Sequence, residues 1–86
     1  MLFEYVAWFR NPAFAADDQD YEWPACFAIQ GQSPEAALEW GDRLALSYAT
    51  RASEIFLWSR VEPTNGDARL PIVAVGEEAS DQKIGW

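Results

Sequence analysis

The chain has no histidine and only one cysteine among its 86 residues. Without histidine, the Ser-His-Asp and Cys-His catalytic sets, the common zinc sites and the usual acid–base group at neutral pH are excluded. One cysteine excludes an internal disulfide, which fits a reducing compartment, so we expect a cytoplasmic protein. We therefore expect a protein that is not an enzyme and that carries no cofactor.

Basic residues are also scarce, with six Lys and Arg against fourteen Asp and Glu, which gives a net charge of −8. Proteins that bind phosphate groups need a basic footprint. The charge balance therefore argues against nucleic acid or an anionic membrane surface as a partner. It favours a basic protein surface, or a partner that carries little charge.

Long apolar runs are missing too. No stretch approaches the ~20 residues of a membrane span, so we expect no membrane partner. The apolar N-terminus "MLFEYVAWFR" lacks the basic region and small-residue cleavage site of a signal peptide. Half of the residues are nevertheless hydrophobic, and five Trp, three Tyr and five Phe are many for this length. A single small globular domain follows, near the lower size limit for independent folding.

Residues 34 to 51 carry the clearest secondary-structure pattern. Ser33 suits an N-cap, Pro34 the first helical position and Glu35 the positive end of the helix dipole. One apolar stripe then recurs at helical spacing, formed by Ala37, Leu38, Gly41, Leu44, Ala45 and Tyr48. Gly41 lies in this stripe, which predicts close approach to a sheet, whereas Leu46 falls on the polar side. The pattern predicts one amphipathic helix.

Four segments have the aromatic and β-branched composition of strands. These are residues 2–10, 23–30, 54–63 and 70–76. The order is therefore β-β-α-β-β, an α+β fold with a small mixed or antiparallel sheet of three or four strands and one helix on one face. Asn65-Gly66 predicts a hairpin joining the last two strands, with Thr64 opposite Asp67 and Glu62 opposite Arg69. We assign residues 1–76 to the domain and residues 77–86 to a C-terminal tail.

The loop at residues 11–21 and the start of the second strand are rich in carboxylates: Asp17, Asp18, Asp20 and Glu22. Oxygen ligands suit Ca²⁺ or Mg²⁺, but the Gly and Glu that an EF-hand loop requires are missing. We expect a mobile, solvated acidic loop rather than a metal site, with docking of a basic partner as the alternative. Neither a Gly-rich phosphate loop nor a basic neighbour of Cys26 is present, and we expect Cys26 to pack as a buried small hydrophobe.

The stretch "FAIQGQSPEAALEWGDRLA", residues 27–45, resembles the strand, turn and helix of HicB-type antitoxins, which carry a similar G-x-S/T-x-E-A-L pattern. The resemblance covers less than a quarter of the chain. What it implies is limited to one strand, one turn and one capped helix.

The third strand, "EIFLWSRVEP", is apolar on both faces. If the helix covers the face with Phe3, Tyr5, Phe9 and Val61, strict alternation adds Ile55 and Leu57 to that face. The opposite face then carries the predicted partner or ligand surface, formed by Val6, Trp8, Phe56 and Trp58. Three aromatic side chains there amount to ~450–750 Å², as much as the largest apolar patch of a typical monomer.

Three coverings of this second face are open: the C-terminal tail with Trp86, a second copy of the chain, or a foreign partner or ligand. The leading prediction is a non-catalytic protein–protein interaction module, such as an inhibitor, an antitoxin or immunity-type partner, or a regulatory subunit. Its partner is expected to be an identical chain or another protein. A small-molecule-binding domain that uses the aromatic face is the alternative.

Overall fold

The computed structural model describes residues 1–66 and 69–86. Within them the chain forms strands β1 (Leu2–Arg10) and β2 (Glu22–Gln30), helix α1 (Pro34–Ala52), and strands β3 (Ile55–Pro63) and β4 (Ile72–Ala74). A one-turn helix, α2 (Asp81–Ile84), follows. The expected α+β fold with β-β-α-β-β order is confirmed, and α2 is an addition.

The four strands form one mixed sheet in the order β3-β1-β2-β4. β1 pairs antiparallel with both β2 and β3, while β4 runs parallel to β2. The central β1 contributes Phe3, Tyr5, Ala7 and Phe9 to the face under the helix, and all four are fully buried. α1 packs on this face over β1 and β3.

Helix α1 begins and ends at capped residues. The Ser33 hydroxyl accepts a hydrogen bond from the Ala36 amide at 3.1 Å, and Pro34 occupies the first turn. At the other end Ser53 adopts a left-handed conformation with φ 57°. The residues of the predicted stripe are buried or, at Leu38 and Tyr48, partly buried against the core, and Leu46 is exposed. The helix and the face it presents to the sheet are therefore confirmed.

The C-terminal residues 77–86 lie on the same side of the sheet as α1. Ile84 is buried, and the Trp86 indole contacts the rings of Phe9, Phe27 and Tyr48. These contacts extend the core over β1 and β2, beside the area that α1 covers. Trp86 therefore does not cover the opposite sheet face, which overturns the first of the three coverings.

The prediction of a hairpin between the last two strands is wrong. β4 lies at the far edge of the sheet from β3, next to β2, where the Ala28 amide donates to the Pro71 carbonyl and Val73 is fully buried. Glu62 pairs with Glu4 of β1 instead of Arg69. The predicted pairing of Thr64 with Asp67 lies outside the described residues.

Strand β3 contains an irregularity that changes which side chains face α1. Trp58 pairs with Trp8 but the next pair is Phe56 with Phe9, so one residue, Leu57, is skipped in a bulge. A bulge inserts one residue and shifts the alternation of every side chain beyond it. Phe56 therefore lies on the helix side against Phe9, and Ile55 joins the opposite face. The prediction that placed these two residues on the reverse sides is wrong.

Candidate protein-interaction surface

The sheet face opposite α1 is called here the open face, because the described helices pack on the other side. The strand register places its side chains in cross-strand rows. From one end to the other, the rows are Ile55-Arg10-Glu22, Trp58-Trp8-Pro24, Arg60-Val6-Cys26, Glu62-Glu4-Ala28-Ile72 and Leu2-Gln30-Ala74. Apolar residues therefore run across the middle of the face, with charged residues on both sides of them.

Trp8 and Trp58 form the centre of the open face. Their rings stack with centroids 6.0 Å apart and an interplanar angle of 19°. Trp58 is 50% exposed and Ile55 46% exposed, while Val6 beside them is nearly buried. Because each ring packs against the other, each restricts the rotamers of its neighbour, which lowers the side-chain entropy that would be lost if another molecule covered them.

The charges on the open face are nearly balanced. Arg10 bonds Glu22 through a 2.7 Å ion pair, and Arg60 bonds Glu62. With Glu4, the register gives the face two arginines and three glutamates, a net charge of −1 out of −8 for the chain. Most of the negative charge therefore lies elsewhere, and the face does not itself repel a second acidic protein.

Of the predicted surface residues, the structure brings together Val6, Trp8 and Trp58 but not Phe56. Cys26 is exposed on the open face opposite Val6, so its predicted burial is wrong. The reason is that the covering elements pack on the other side. Sequence reasoning missed Ile55 and the two ion pairs, because strict alternation of side chains cannot reveal an inserted residue.

The acidic loop adjoins one end of the open face. Glu22 lies on β2 directly opposite Arg10, and the Arg10 guanidinium stands 5.4 Å from the centre of the Tyr21 ring. Within the loop, the Asp18 carboxylate accepts from the Asp20 amide at 2.8 Å, and the Asn11 amide donates to Tyr21 at the same distance. Asp17, Asp18 and Asp20 are exposed, so their carboxylates can be reached from solvent. The predicted mobility of the loop stays a prediction.

Two polar networks lie on the helix side. The Tyr5 hydroxyl donates to Asp42 at 2.8 Å, and Ser59 donates to the same carboxylate oxygen. Burial, reinforced by Asp42, raises the pKa of Tyr5 well above its usual range. Both hydroxyls bond strands of the sheet to α1. Because the raised pKa keeps the Tyr5 phenol neutral, it remains a hydrogen-bond donor to Asp42, and this network stabilises the fold.

Glu54 forms the second network, at the end of α1. Its carboxylate accepts from the Trp23 indole and from the Tyr48 hydroxyl, each at 2.6 Å. Burial, followed by the bond to Glu54, raises the pKa of the Tyr48 phenol. The rings around this carboxylate pack on one another: Trp23 and Tyr48 both contact Phe9. The network therefore stabilises the aromatic core.

A cleft of about 130 Å³ separates α1 from the C-terminal segment and is lined by Arg43, Ser47, Arg51 and Trp86 among others. Arg51 is engaged by Ser47 and Asp81, and Arg43 stands over the Trp40 ring. The cleft is smaller than a typical small-molecule site. Among residues 1–66 and 69–86, no group of three or more acidic or Cys side chains is arranged to hold a metal ion.

No family model, curated protein or solved structure matches this chain. The partial resemblance of residues 27–45 to HicB-type antitoxins is therefore not accompanied by a family match. In the described part of the chain, neither helix has the length and apolar character needed to cross a bilayer.

Proposed function

We propose that this protein is a small, acidic, non-catalytic protein–protein interaction module that is located in the cytoplasm and binds its partner through the open face. The observation that carries the proposal is the stacked Trp8–Trp58 pair in the middle of a sheet face that neither described helix covers, with Trp58 half exposed and Trp8 partly buried. The roles that fit are an inhibitor, an antitoxin or immunity-type partner, or a regulatory subunit. An identical chain or another protein is the partner, and an identical chain is the first candidate.

The energetics of the open face support a protein as the partner. Burying the exposed apolar parts of Trp58 and Ile55 gains about 25 cal/mol per Å². Rigid aromatic residues surrounded by a polar rim are the usual composition of an interface centre. Here the rim consists of the Arg10–Glu22 and Arg60–Glu62 ion pairs. This pattern of an apolar centre with charged borders matches a protein surface better than a small ligand.

The test compares wild type with Trp58→Glu and Val75→Glu by sedimentation equilibrium at micromolar concentration. Val75 is also an exposed apolar residue, but it lies beside Trp40 and Arg43 of α1 and away from the open face. We expect the wild type and Val75→Glu to assemble and Trp58→Glu to stay monomeric and less stable, because association then no longer stabilises the fold.

The proposal would be contradicted by two results together. All three proteins would behave identically in sedimentation, and an affinity column carrying the wild type would retain no protein that a column carrying Trp58→Glu fails to retain. A change in tryptophan fluorescence on addition of small apolar ligands, without assembly, would instead support the small-molecule alternative.

A further inference from the structure

The outer edge of β3 presents unused backbone groups in a defined order. The Thr64 amide donates to the Leu2 carbonyl at 3.0 Å, which fixes which residues of β3 bond to β1. In an antiparallel pair these residues alternate, so Glu62, Arg60 and Trp58 direct their backbone groups toward β1. Ser59 and Val61 lie between them and direct their N–H and C=O groups away from the sheet, since β3 is an edge strand. A long edge of this kind is a template for another strand.

Exposed apolar side chains gather on both sides of this edge. On the open face, Trp58 and Ile55 are about half exposed. On the helix side, Leu46 is 55% exposed and lies one turn after Asp42, whose carboxylate bonds Ser59 of β3. Leu46 therefore lies on the flank of α1 that borders the β3 edge. Three of the large exposed hydrophobic residues of the described chain thus surround one edge strand.

We propose that β3 pairs antiparallel with β3 of a second copy of this chain, about a two-fold axis at Ser59. The proposal rests on the proposed function in that it names an identical chain as a partner, and it identifies the strand that joins the two. The pairing merges two four-stranded sheets into one sheet of eight strands, with both open faces on the same side.

Backbone hydrogen bonding and the side chains around Trp58 select this register. Only residues whose backbone N–H and C=O groups point away from β1 can bond the second copy, so the two-fold axis falls on Ser59 or on Val61. An axis at Val61 would place Ser59 against Pro63, which has no N–H and would lose one backbone hydrogen bond in each half. An axis at Ser59 places Pro63 against Ile55, beyond the bulge, where the Ile55 backbone faces β1, so Pro63 loses no hydrogen bond there. An axis at Val61 would also set Arg60 against Glu62 of the other copy, but Arg60 already bonds Glu62 of its own chain, so this contact adds little.

The Ser59 register also places Trp58 of each copy beside Arg60 of the other on the open face. An arginine over a tryptophan ring is a favourable cation–π contact, and two-fold symmetry forms it twice. Arg60 already bonds Glu62 within its own chain, so its charge stays compensated. Because α1 lies over β1 and β3, the helices of the two copies come side by side with Leu46 at their junction.

Amide hydrogen exchange measured residue by residue at low and high protein concentration tests the pairing. At a concentration where nine-tenths of the chains are paired, we expect the Ser59 and Val61 amides to exchange about tenfold more slowly than in the monomer. The Arg60 and Glu62 amides are the internal control, because β1 protects them in both states. Unchanged exchange at Ser59 and Val61 overturns the pairing.

Leu46→Gln and Val75→Gln provide matched variants, since both residues are exposed on the helix side but Val75 follows β4 at the opposite sheet edge. We expect Leu46→Gln to weaken self-association about fivefold to tenfold and Val75→Gln to leave it unchanged. A dimer that Trp58→Glu abolishes, but that shows no Ser59 or Val61 protection, overturns the β3 pairing and leaves the open-face proposal standing. A strictly monomeric chain overturns the pairing as well, and retention of another protein then decides the open-face proposal separately.

Discussion

The ring of Tyr5 occupies the space that a side chain at residue 41 would need. A Cβ atom built on Gly41 would lie 2.4 Å from Cε1 of Tyr5, far inside van der Waals contact. The buried ring packs against the helix backbone there, and its hydroxyl bonds Asp42, the residue that follows Gly41. Gly41 thus sets how closely α1 approaches the central strand.

Replacing Gly41 by Ala should therefore destabilise the protein, although alanine is the better helix former by up to ~1 kcal/mol. Because the buried Tyr5 ring packs against Phe27 and its hydroxyl bonds Asp42, the ring cannot move aside freely, and we expect a net loss of about 1–3 kcal/mol in the free energy of unfolding. Chemical denaturation measures it. In a Tyr5→Leu background the same substitution should cost much less; an equal cost in both backgrounds would show that the Tyr5 ring is not the obstacle.

The unfolding free energy should fall at alkaline pH because of Tyr5. Its pKa is raised in the folded protein, chiefly by burial, above the value near 10 of an unfolded tyrosine. The stabilisation from keeping the phenol neutral is therefore fully present below about pH 10 and is lost as the pH rises beyond it. The loss reaches up to about 1.4 kcal/mol per pH unit.

Denaturation curves of wild type and Tyr5→Phe between about pH 8 and pH 11 isolate this contribution. The difference between the two proteins should change with pH only above about pH 10. Tyr48, whose pKa is also raised, remains in both and cancels in the comparison. A constant difference over the whole range would contradict the assignment.

Trp86→Ala should destabilise the domain. The indole contacts three core rings, but it is only partly buried, so we expect a loss of about 2–4 kcal/mol rather than the larger cost of a fully enclosed tryptophan. Thermal unfolding at low protein concentration, where association does not contribute, is the measurement. Trp58→Ala is the control and should cost less, because Trp58 is half exposed.

Changing Asp17, Asp18 and Asp20 to Asn should leave the melting temperature nearly unchanged. At residue 18, asparagine keeps a side-chain oxygen that accepts the hydrogen bond from the backbone amide of residue 20. The three substitutions together remove three exposed negative charges. If the open face docks a basic partner, association should be slower and less dependent on salt, which stopped-flow mixing at two ionic strengths measures. A large drop in melting temperature would instead show that these carboxylates stabilise the loop.

Local signals predicted the elements well because their causes are local. Ser33 and Pro34 start α1 in the structure as they do in the sequence, and the residues of the apolar stripe pack on the sheet. The close approach expected at Gly41 is present, although the partner ring could not be named in advance. Of the candidate surface, Val6, Trp8 and Trp58 lie together as expected, since simple alternation holds along β1 and the second half of β3.

Two features depended on the tertiary structure. The Asn65-Gly66 signal indicates a turn, and Gly66 does adopt φ 95°, but a turn does not specify which strand the chain joins next. β4 joins β2, where Val73 becomes fully buried, and burial of apolar surface outweighs the local preference for a hairpin. The bulge at Leu57 likewise brings Phe56 under the helix against Phe9 and turns Ile55 outward.

Sequence by itself therefore determined the order of the elements, the inner face of α1 and the two tryptophans of the open face. These follow from side-chain periodicity and capping, which act over a few neighbouring residues. Only the tertiary structure decided the strand order, the side that Trp86 covers and the residues surrounding Trp58. Each of these is a competition between distant segments for the same apolar surface, and its outcome depends on packing that no local pattern records.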